Sequence, residues 1–297
     1  MALEIVVQPA LMQARVAELR QEGAHIGLVP TMGYLHEGHL SLMRQLRPLV
    51  DQLVVSLFVN PTQFGPGEDL AIYPVDLARD HALCAGIPVD LLFQPAVNTI
   101  YPEGYASYVV FERHAEKLCG NKRPAHFRGV GTVVLKLLQI CQPHLAAFGR
   151  KDAQQLFLIK QMVRDFHLPV GIVEGETVRE TDGVAMSSRN SYLQGKERQQ
   201  ARALSLTLQR MQQAITTGEG DTARLLELGR AKLLDFPGFV LEYLSCLNWE
   251  TLTELTSIEY PLLIAVAGSV GKTRLIDNTI LATSDEATTN AIALINP

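Results

Sequence analysis

Two imidazoles three residues apart, His36 and His39, sit in the stretch Pro30-Thr31-Met32-Gly33-Tyr34-Leu35-His36-Glu37-Gly38-His39. A short apolar run, Ile26-Gly27-Leu28-Val29, leads into it, and Leu40-Ser41-Leu42-Met43 after it reads as the start of a helix. A helix N-terminus presents unpaired backbone N–H groups and a partial positive charge, so it attracts phosphate. Imidazoles placed there donate to phosphate oxygens or offset charge that develops on them. The turn therefore points to nucleotide phosphate chemistry. A metal reading is weaker, because no third ligand accompanies the two histidines.

Other stretches offer complementary groups. Ser56-Leu57-Phe58-Val59-Asn60-Pro61-Thr62-Gln63 is an apolar strand running into an Asn-Pro turn. Asn60, at the mouth of a sheet, offers an amide for a hydroxyl or a carboxylate, or is accounted for by the turn itself. The Gln63 amide, at the mouth of a sheet, suits a hydroxyl or a carboxylate. Asp69, Asp76 and Asp80 are candidate magnesium carboxylates, although acids on a helix more often form a solvated face. The loop Asn121–Gly129 holds Lys122, Arg123, His126 and Arg128 with no acid beside them, which fits an anion-handling or a solvated loop. In Phe148-Gly149-Arg150-Lys151-Asp152 a strand again meets a helix through a glycine, and Lys151 is placed as a point charge for phosphate. Asp152 suits a helix cap or a ribose hydroxyl. Met186-Ser187-Ser188-Arg189-Asn190 sets two hydroxyls beside a guanidinium, a combination that can embrace a polyphosphate or serve as a polar linker. Gly268-Ser269-Val270-Gly271-Lys272-Thr273 resembles a phosphate-binding Walker loop. It is rejected because Val266 stands where the first glycine belongs and a strand-like run follows.

These groups need a scaffold that brings strand ends together. Candidate strands are 26–29, 53–59, 90–93, 108–111, 145–148 and 170–173. Helix-like segments at 41–47, 77–85, 131–141 and 154–166 lie between several of them. Strands alternating with helices pair in parallel through right-handed crossovers, and such sheets bind ligands at the carboxyl ends of their strands. After Val178 the pattern changes. A polar helix spans 195–217 and a second helix 222–234, and strands follow at 239–244, 262–267 and 273–280. The expected organisation is residues 1–178 as a parallel α/β domain and 179–297 as a smaller α+β domain. The tail 283–297 is expected to be loosely ordered.

Composition narrows the function classes. The 297 residues carry a net charge of -5, which gives no general attraction to nucleic acid. No apolar run reaches the roughly 18 residues needed to span a bilayer, and the N-terminus lacks a basic-then-apolar leader. Cys84, Cys119, Cys141 and Cys246 are widely spaced, which argues against a zinc site and fits a reducing, cytoplasmic compartment.

The residues together resemble the pantoate–β-alanine ligases of the HxGH nucleotidyltransferase superfamily. The stretches Pro30-Thr31-Met32-Gly33 with His36-Glu37-Gly38-His39, Phe58-Val59-Asn60-Pro61, Gln63-Phe64, Phe148-Gly149 with Lys151-Asp152 and Gln154-Gln155, Met186–Asn190 and Arg274-Leu275-Ile276-Asp277-Asn278 occur in the family's order and spacing. The resemblance covers nearly the whole chain. It implies a Rossmann-like domain with a C-terminal lid domain in a homodimer, with ATP, pantoate and β-alanine as small-molecule substrates. It implies that ATP and pantoate form pantoyl adenylate and pyrophosphate, and that the β-alanine amine then displaces AMP. His36 and His39 would contact the phosphates, with His39 as the usual proton donor. Lys151 would stabilise the reacting phosphate, and Ser187, Ser188 and Arg189 would hold the β- and γ-phosphates. Met32, Gly33, Gly149, Arg150, Asp152, Val178 and Met186 complete the ATP residues. Gln63, Gln155 and Asn60 attend pantoate. Magnesium is expected with ATP, with Asp80 as its ligand. Two departures stand out. Val75 follows Tyr73-Pro74 where arginine is common, and Arg150 occupies a position where an acid or glutamine is common.

Overall fold

The computed structural model describes residues 3–282; the expected tail lies outside the described residues. Packing divides the chain into two units. Among the described residues, one holds those up to Arg150 together with Gln154–Glu176; the other holds Lys151–Ala153 and residues 177–282.

The first unit is built on six parallel strands: β1 (Glu4–Val6), β2 (Ile26–Thr31), β3 (Gln52–Leu57), β4 (Leu91–Phe93), β5 (Leu145–Gly149) and β6 (Gly171–Gly175), in the spatial order β1-β4-β3-β2-β5-β6. The connecting helices are α1 (Pro9–Gln21), α2 (Glu37–Leu46), α3 (Leu77–Gly86), the single turns α4 (Val97–Ile100) and α5 (Cys119–Lys122), α6 (His126–Cys141) and α7 (Ala153–Asp165). The inner strands are apolar on both faces, as crossover helices require. Val29, Leu53, Val55, Leu92, Ala147 and Val173 bury against Leu40, Met43 and Leu46 of α2. This is the Rossmann-like parallel α/β class expected.

Strand order reverses between β2 and β5, the switch point where such sheets open a crevice. β2 pairs with β3 over six residues but with β5 only at Gly27 and Leu28. Pro30, farther along β2, has no N–H with which to continue a ladder. The carboxyl ends of β2 and β5 therefore part where the histidine turn and Gly149 emerge.

Two features differ from expectation. The run 108–111 is not a strand. Val109 donates its N–H to Thr132 Oγ1 of α6 at 2.9 Å, and Arg128 of the same helix stacks on Tyr108 at 3.6 Å. The Val109 N–H is thus taken by a side chain instead of a strand ladder. β1 and α1 are additional elements. β1 is three residues long and largely exposed, while α1 buries Met12, Val16 and Leu19 at helical spacing after Pro9 in its first turn.

The second unit contains the helices α8 (Lys196–Ala201), α9 (Ala203–Thr216) and α10 (Thr222–Leu233) and an antiparallel sheet of β7 (Phe239–Asn248), β8 (Leu262–Val270) and β9 (Thr273–Leu281). The helix expected over 195–217 is two helices broken at Arg202. Leu204, Leu208 and Met211 pack with Leu225, Leu244, Ile264 and Val266. The Walker-like stretch is the β8–β9 hairpin, turned by Gly271 at φ +57° with Lys272 beside it.

At the end of β6, Glu174 accepts from Arg150 at 2.9 Å and Lys160 at 2.6 Å. Burial raises its carboxyl, but the two cations outweigh burial and hold it below its ordinary 4.5. A carboxyl with a lowered folded-state pKa stabilises above its unfolded pKa, and that stability is lost as pH falls through the folded value. Urea unfolding from pH 7 downward is therefore expected to show stability falling below about pH 4.5. Glu174→Gln is expected to flatten that acid slope and to cost about 3 kcal/mol at neutral pH. An unchanged slope would refute the assignment.

Candidate active site

In the first unit, the turn between β2 and α2 is shaped by two consecutive left-handed residues, Gly33 at φ +82° and Tyr34 at φ +50°. Tyr34 tolerates that backbone because the turn is clamped from outside. Asp80, on α3, accepts the Tyr34 N–H at 2.8 Å and the Leu35 N–H at 2.7 Å, one on each carboxylate oxygen. Asp80 is fully buried. The carboxylate faces two backbone N–H groups and so has a structural role in the turn beside the magnesium role expected of it. Among the described residues no group of three or more His, Cys, Asp or Glu side chains is arranged to hold a metal ion.

The clamp delivers both histidines to the start of α2. His36 caps the helix and His39 stands in its first turn, with ring centroids 4.0 Å apart. His39 Nδ1 accepts the His36 backbone N–H at 3.3 Å. In a neutral imidazole the other nitrogen then carries the proton, so His39 Nε2–H is a donor. The unpaired N–H groups of the helix and this donor suit the same anion.

The neighbouring turn, Pro61–Gln63, carries the amides. Asn60 is almost wholly buried. Its Oδ1 accepts from the Thr62 hydroxyl and the Tyr101 hydroxyl, both at 2.9 Å. Its Nδ2 donates to Gly129 O at 3.1 Å and Gln63 Oε1 at 3.2 Å. With both its oxygen and its nitrogen engaged by protein, Asn60 supports the turn that carries Gln63. A Cβ at Gly129 would stand 2.3 Å from Thr62 O, so glycine is what lets α6 approach this turn. Gln63 is half-buried, and its Nε2 rests on Met32 Sδ at 2.8 Å. A thioether is a weak acceptor, so a substrate oxygen can take that donor. Gln155 follows in the first turn of α7.

The cationic loop is also anchored. Arg123 pairs with Glu68 at 2.6 Å and donates to Gln63 O at 3.2 Å, and His126 Nδ1 lies 2.8 Å from the same carbonyl. The acid missing from the loop's own sequence comes from Glu68, so the loop secures the Gln63 backbone. Arg150, expected near the nucleotide, pairs with Glu174 and Glu176. Gly149 closes β5 beside Gly175 of β6. Val75, the other departure, is exposed.

In the second unit, a small hairpin presents the Ser-Ser-Arg segment. Arg179 bridges Ala185, Met186 N–H donates to Val178 O at 2.9 Å, and Gly183 at φ +90° turns the chain. Ser187 then caps a short turn through its Oγ, which accepts the Arg189 N–H at 3.3 Å. Ser188 is buried. Lys151 and Asp152 belong to the same unit, with Lys151 Nζ 3.8 Å from Asp152 Oδ2. The first unit thus gathers Met32, Gly33, His36, His39, Asn60 and Gln63, and the second holds Lys151, Asp152, Val178, Met186, Ser187, Ser188 and Arg189. Asp80's clamp and the Arg179–Asp277 pair described below were not foreseen. Partners 46 and 98 residues apart leave no local signal.

The pantoate-beta-alanine ligase family model matches residues 4–280. The chain belongs to the pantoate-beta-alanine ligase family. A pantothenate synthetase of Moorella thermoacetica is 48% identical over 283 residues, covering 95% of this chain and 100% of that protein. One from Desulfatibacillum aliphaticivorans is 47% identical over 279 residues, covering 94% and 99%. The crystal structure of pantothenate synthetase from Thermus thermophilus superposes with a TM-score of 0.89 at 43% identity, covering 93% of this chain and 98% of that one. The Francisella tularensis pantoate-beta-alanine ligase, complexed with beta-gamma ATP and beta-alanine, gives 0.78 at 35% identity, covering 94% and 98%. The chain is an enzyme of this family, and its reaction is the ATP-dependent condensation of pantoate with β-alanine. No helix among the described residues is long and apolar enough to cross a membrane.

Proposed function

We propose that the condensation runs through an enzyme-held pantoyl adenylate. The pantoate carboxylate attacks the α-phosphorus of ATP and pyrophosphate leaves; the β-alanine amine then attacks the acyl carbon and AMP leaves. Charge builds on phosphate oxygens in the first step, so positioning and electrostatic stabilisation supply most of the catalysis. In this reading His39 Nε2–H and the start of α2 receive phosphate oxygens, with His36 beside them. Lys151 offsets charge on the reacting phosphate, and Ser187, Ser188 and Arg189 hold the leaving pyrophosphate. Met32, Gly33, Gly149, Asp152, Val178 and Met186 border the nucleotide. Gln63 and Gln155 grip pantoate.

The observation that carries this reading is the histidine turn at the head of α2, held in shape by Asp80. Magnesium is proposed to travel on the ATP phosphates. Magnesium is commonly held by one or two carboxylates together with substrate phosphates, so a nucleotide would bring most of its ligands. The proposal also takes from the family resemblance a homodimer, a lid role for the C-terminal unit and a cytoplasmic location. Burial, which pushes the thiols of Cys84, Cys141 and Cys246 up to about 12, fits unreactive cysteines in a reducing compartment.

The deciding experiment is isotope exchange between pyrophosphate and ATP with pantoate present and β-alanine omitted. Exchange that requires pantoate supports the adenylate. Its absence, in enzyme that still makes pantothenate, would replace the adenylate with a concerted route.

A further inference from the structure

Asp277 and Asn278 are adjacent on β9, yet both are buried, at 3% and 6% exposure. Successive residues of a strand point to opposite faces, so the dipeptide reaches two different partners. On one side Asp277 takes a two-pronged contact from Arg179, at 2.6 Å to Oδ2 and 3.0 Å to Oδ1. Arg179 also donates to Gly183 O at 3.1 Å, which ties Asp277 to the base and the tip of the hairpin that ends in Ser187. On the other side Asn278 Nδ2 donates to the backbone carbonyl of Lys151 at 2.7 Å. The two residues are themselves locked, since the Asn278 N–H donates to Asp277 Oδ1 at 2.8 Å.

We infer that the Asp277-Asn278 dipeptide is a positioning device that fixes the Lys151 backbone and the Ser187-Ser188-Arg189 hairpin to one strand, setting the interval between the ammonium and the Ser-Ser-Arg clasp. This rests on the phosphate roles proposed for those residues. The chemistry favours a rigid link. A bidentate guanidinium–carboxylate pair has little freedom to swing. A neutral amide can hold a carbonyl next to a lysine without adding a charge that would compete for the ammonium. Lys151 has a long flexible stem with about 2 kcal/mol of rotamer entropy, so fixing its root narrows where the ammonium can reach.

A double-mutant cycle tests the inference, read by pantoate-dependent pyrophosphate exchange in the full-length enzyme. Asn278→Asp keeps the shape, removes the donor and sets a carboxylate against the Lys151 carbonyl. It is expected to lower kcat about 10-fold, with KM for pantoate within about 2-fold and cooperative unfolding retained. Lys151→Ala is expected to lower the rate about 100-fold. Residues that act through one another are non-additive, so the double variant should match Lys151→Ala alone within about 3-fold. Asn278→Gln, which keeps a donor amide, should recover part of the loss. A full rate in Asn278→Asp, or losses that multiply in the double variant, would overturn the positioning role while leaving the assignment of Lys151 standing. A near-normal rate in Lys151→Ala would instead overturn the phosphate reading and this inference with it. Should Asn278→Asp and Asn278→Gln both fail to fold, the dipeptide is a folding element and the inference is wrong.

Discussion

Replacing His39 with alanine is expected to lower pantoate-dependent pyrophosphate exchange by about 100-fold or more while the protein still unfolds cooperatively near its original temperature. His39 Nδ1 is occupied by the His36 backbone N–H, so the ring cannot present that nitrogen to substrate, and its proton sits on Nε2. That N–H is added to the backbone donors of the α2 N-terminus, which in the proposed reading receive phosphate oxygens of ATP. On the proposed role, removing the ring deletes a donor to the phosphates. The helix start keeps its backbone bonding, because the Leu40 N–H still bonds to His36 O at 3.1 Å. A rate within about 3-fold of the parent would strip His39 of its assigned part.

The second large effect is expected at Asp80. Asp80→Ala removes the acceptor of two backbone N–H groups in a buried turn that already holds a non-glycine residue at positive φ. Hydrogen bonds to a charged group contribute about 1.5 to 3 kcal/mol each, so a loss of about 3 kcal/mol or more is expected in urea unfolding. Exchange activity should fall together with stability, because the histidines lose their footing. Asp80→Asn, which keeps one acceptor, should lie between the two. The competing expectation, a magnesium ligand, predicts a different outcome: stability unchanged and activity recovered by excess magnesium. Titrating magnesium against both variants, with unfolding measured in parallel, separates the two.

These predictions also show how far residue order alone carries the reading. The alternating strands and helices of the first unit were legible because β2, β3 and β5 are continuous apolar runs that end in glycine or proline turns. The histidine turn was legible because its function depends on neighbours in sequence. The supporting groups were not. Asp80 sits on an amphipathic helix where an acid is ordinarily a solvated residue, and only the fold brings it 2.8 Å from Tyr34 N. Glu68 neutralises Arg123 from 55 residues away, which turned an apparent anion loop into a brace. The run 108–111 has strand composition, but it is bonded to a side chain of α6, and composition does not report partners. Arg179 and Asp277 fall in the same class, since a pair separated by 98 residues leaves no periodic trace.

The saturation of Asn60 bears on altering the enzyme's range. Its carbonyl oxygen and its amide nitrogen are both engaged inside the protein, whereas Gln63 leans on a methionine sulfur that yields readily. A library meant to admit other hydroxy acids should therefore randomise Gln63 and Met32 and leave Asn60 untouched. Replacing Asn60 would leave the Thr62 and Tyr101 hydroxyls and the Gly129 carbonyl without this partner, at a cost in stability.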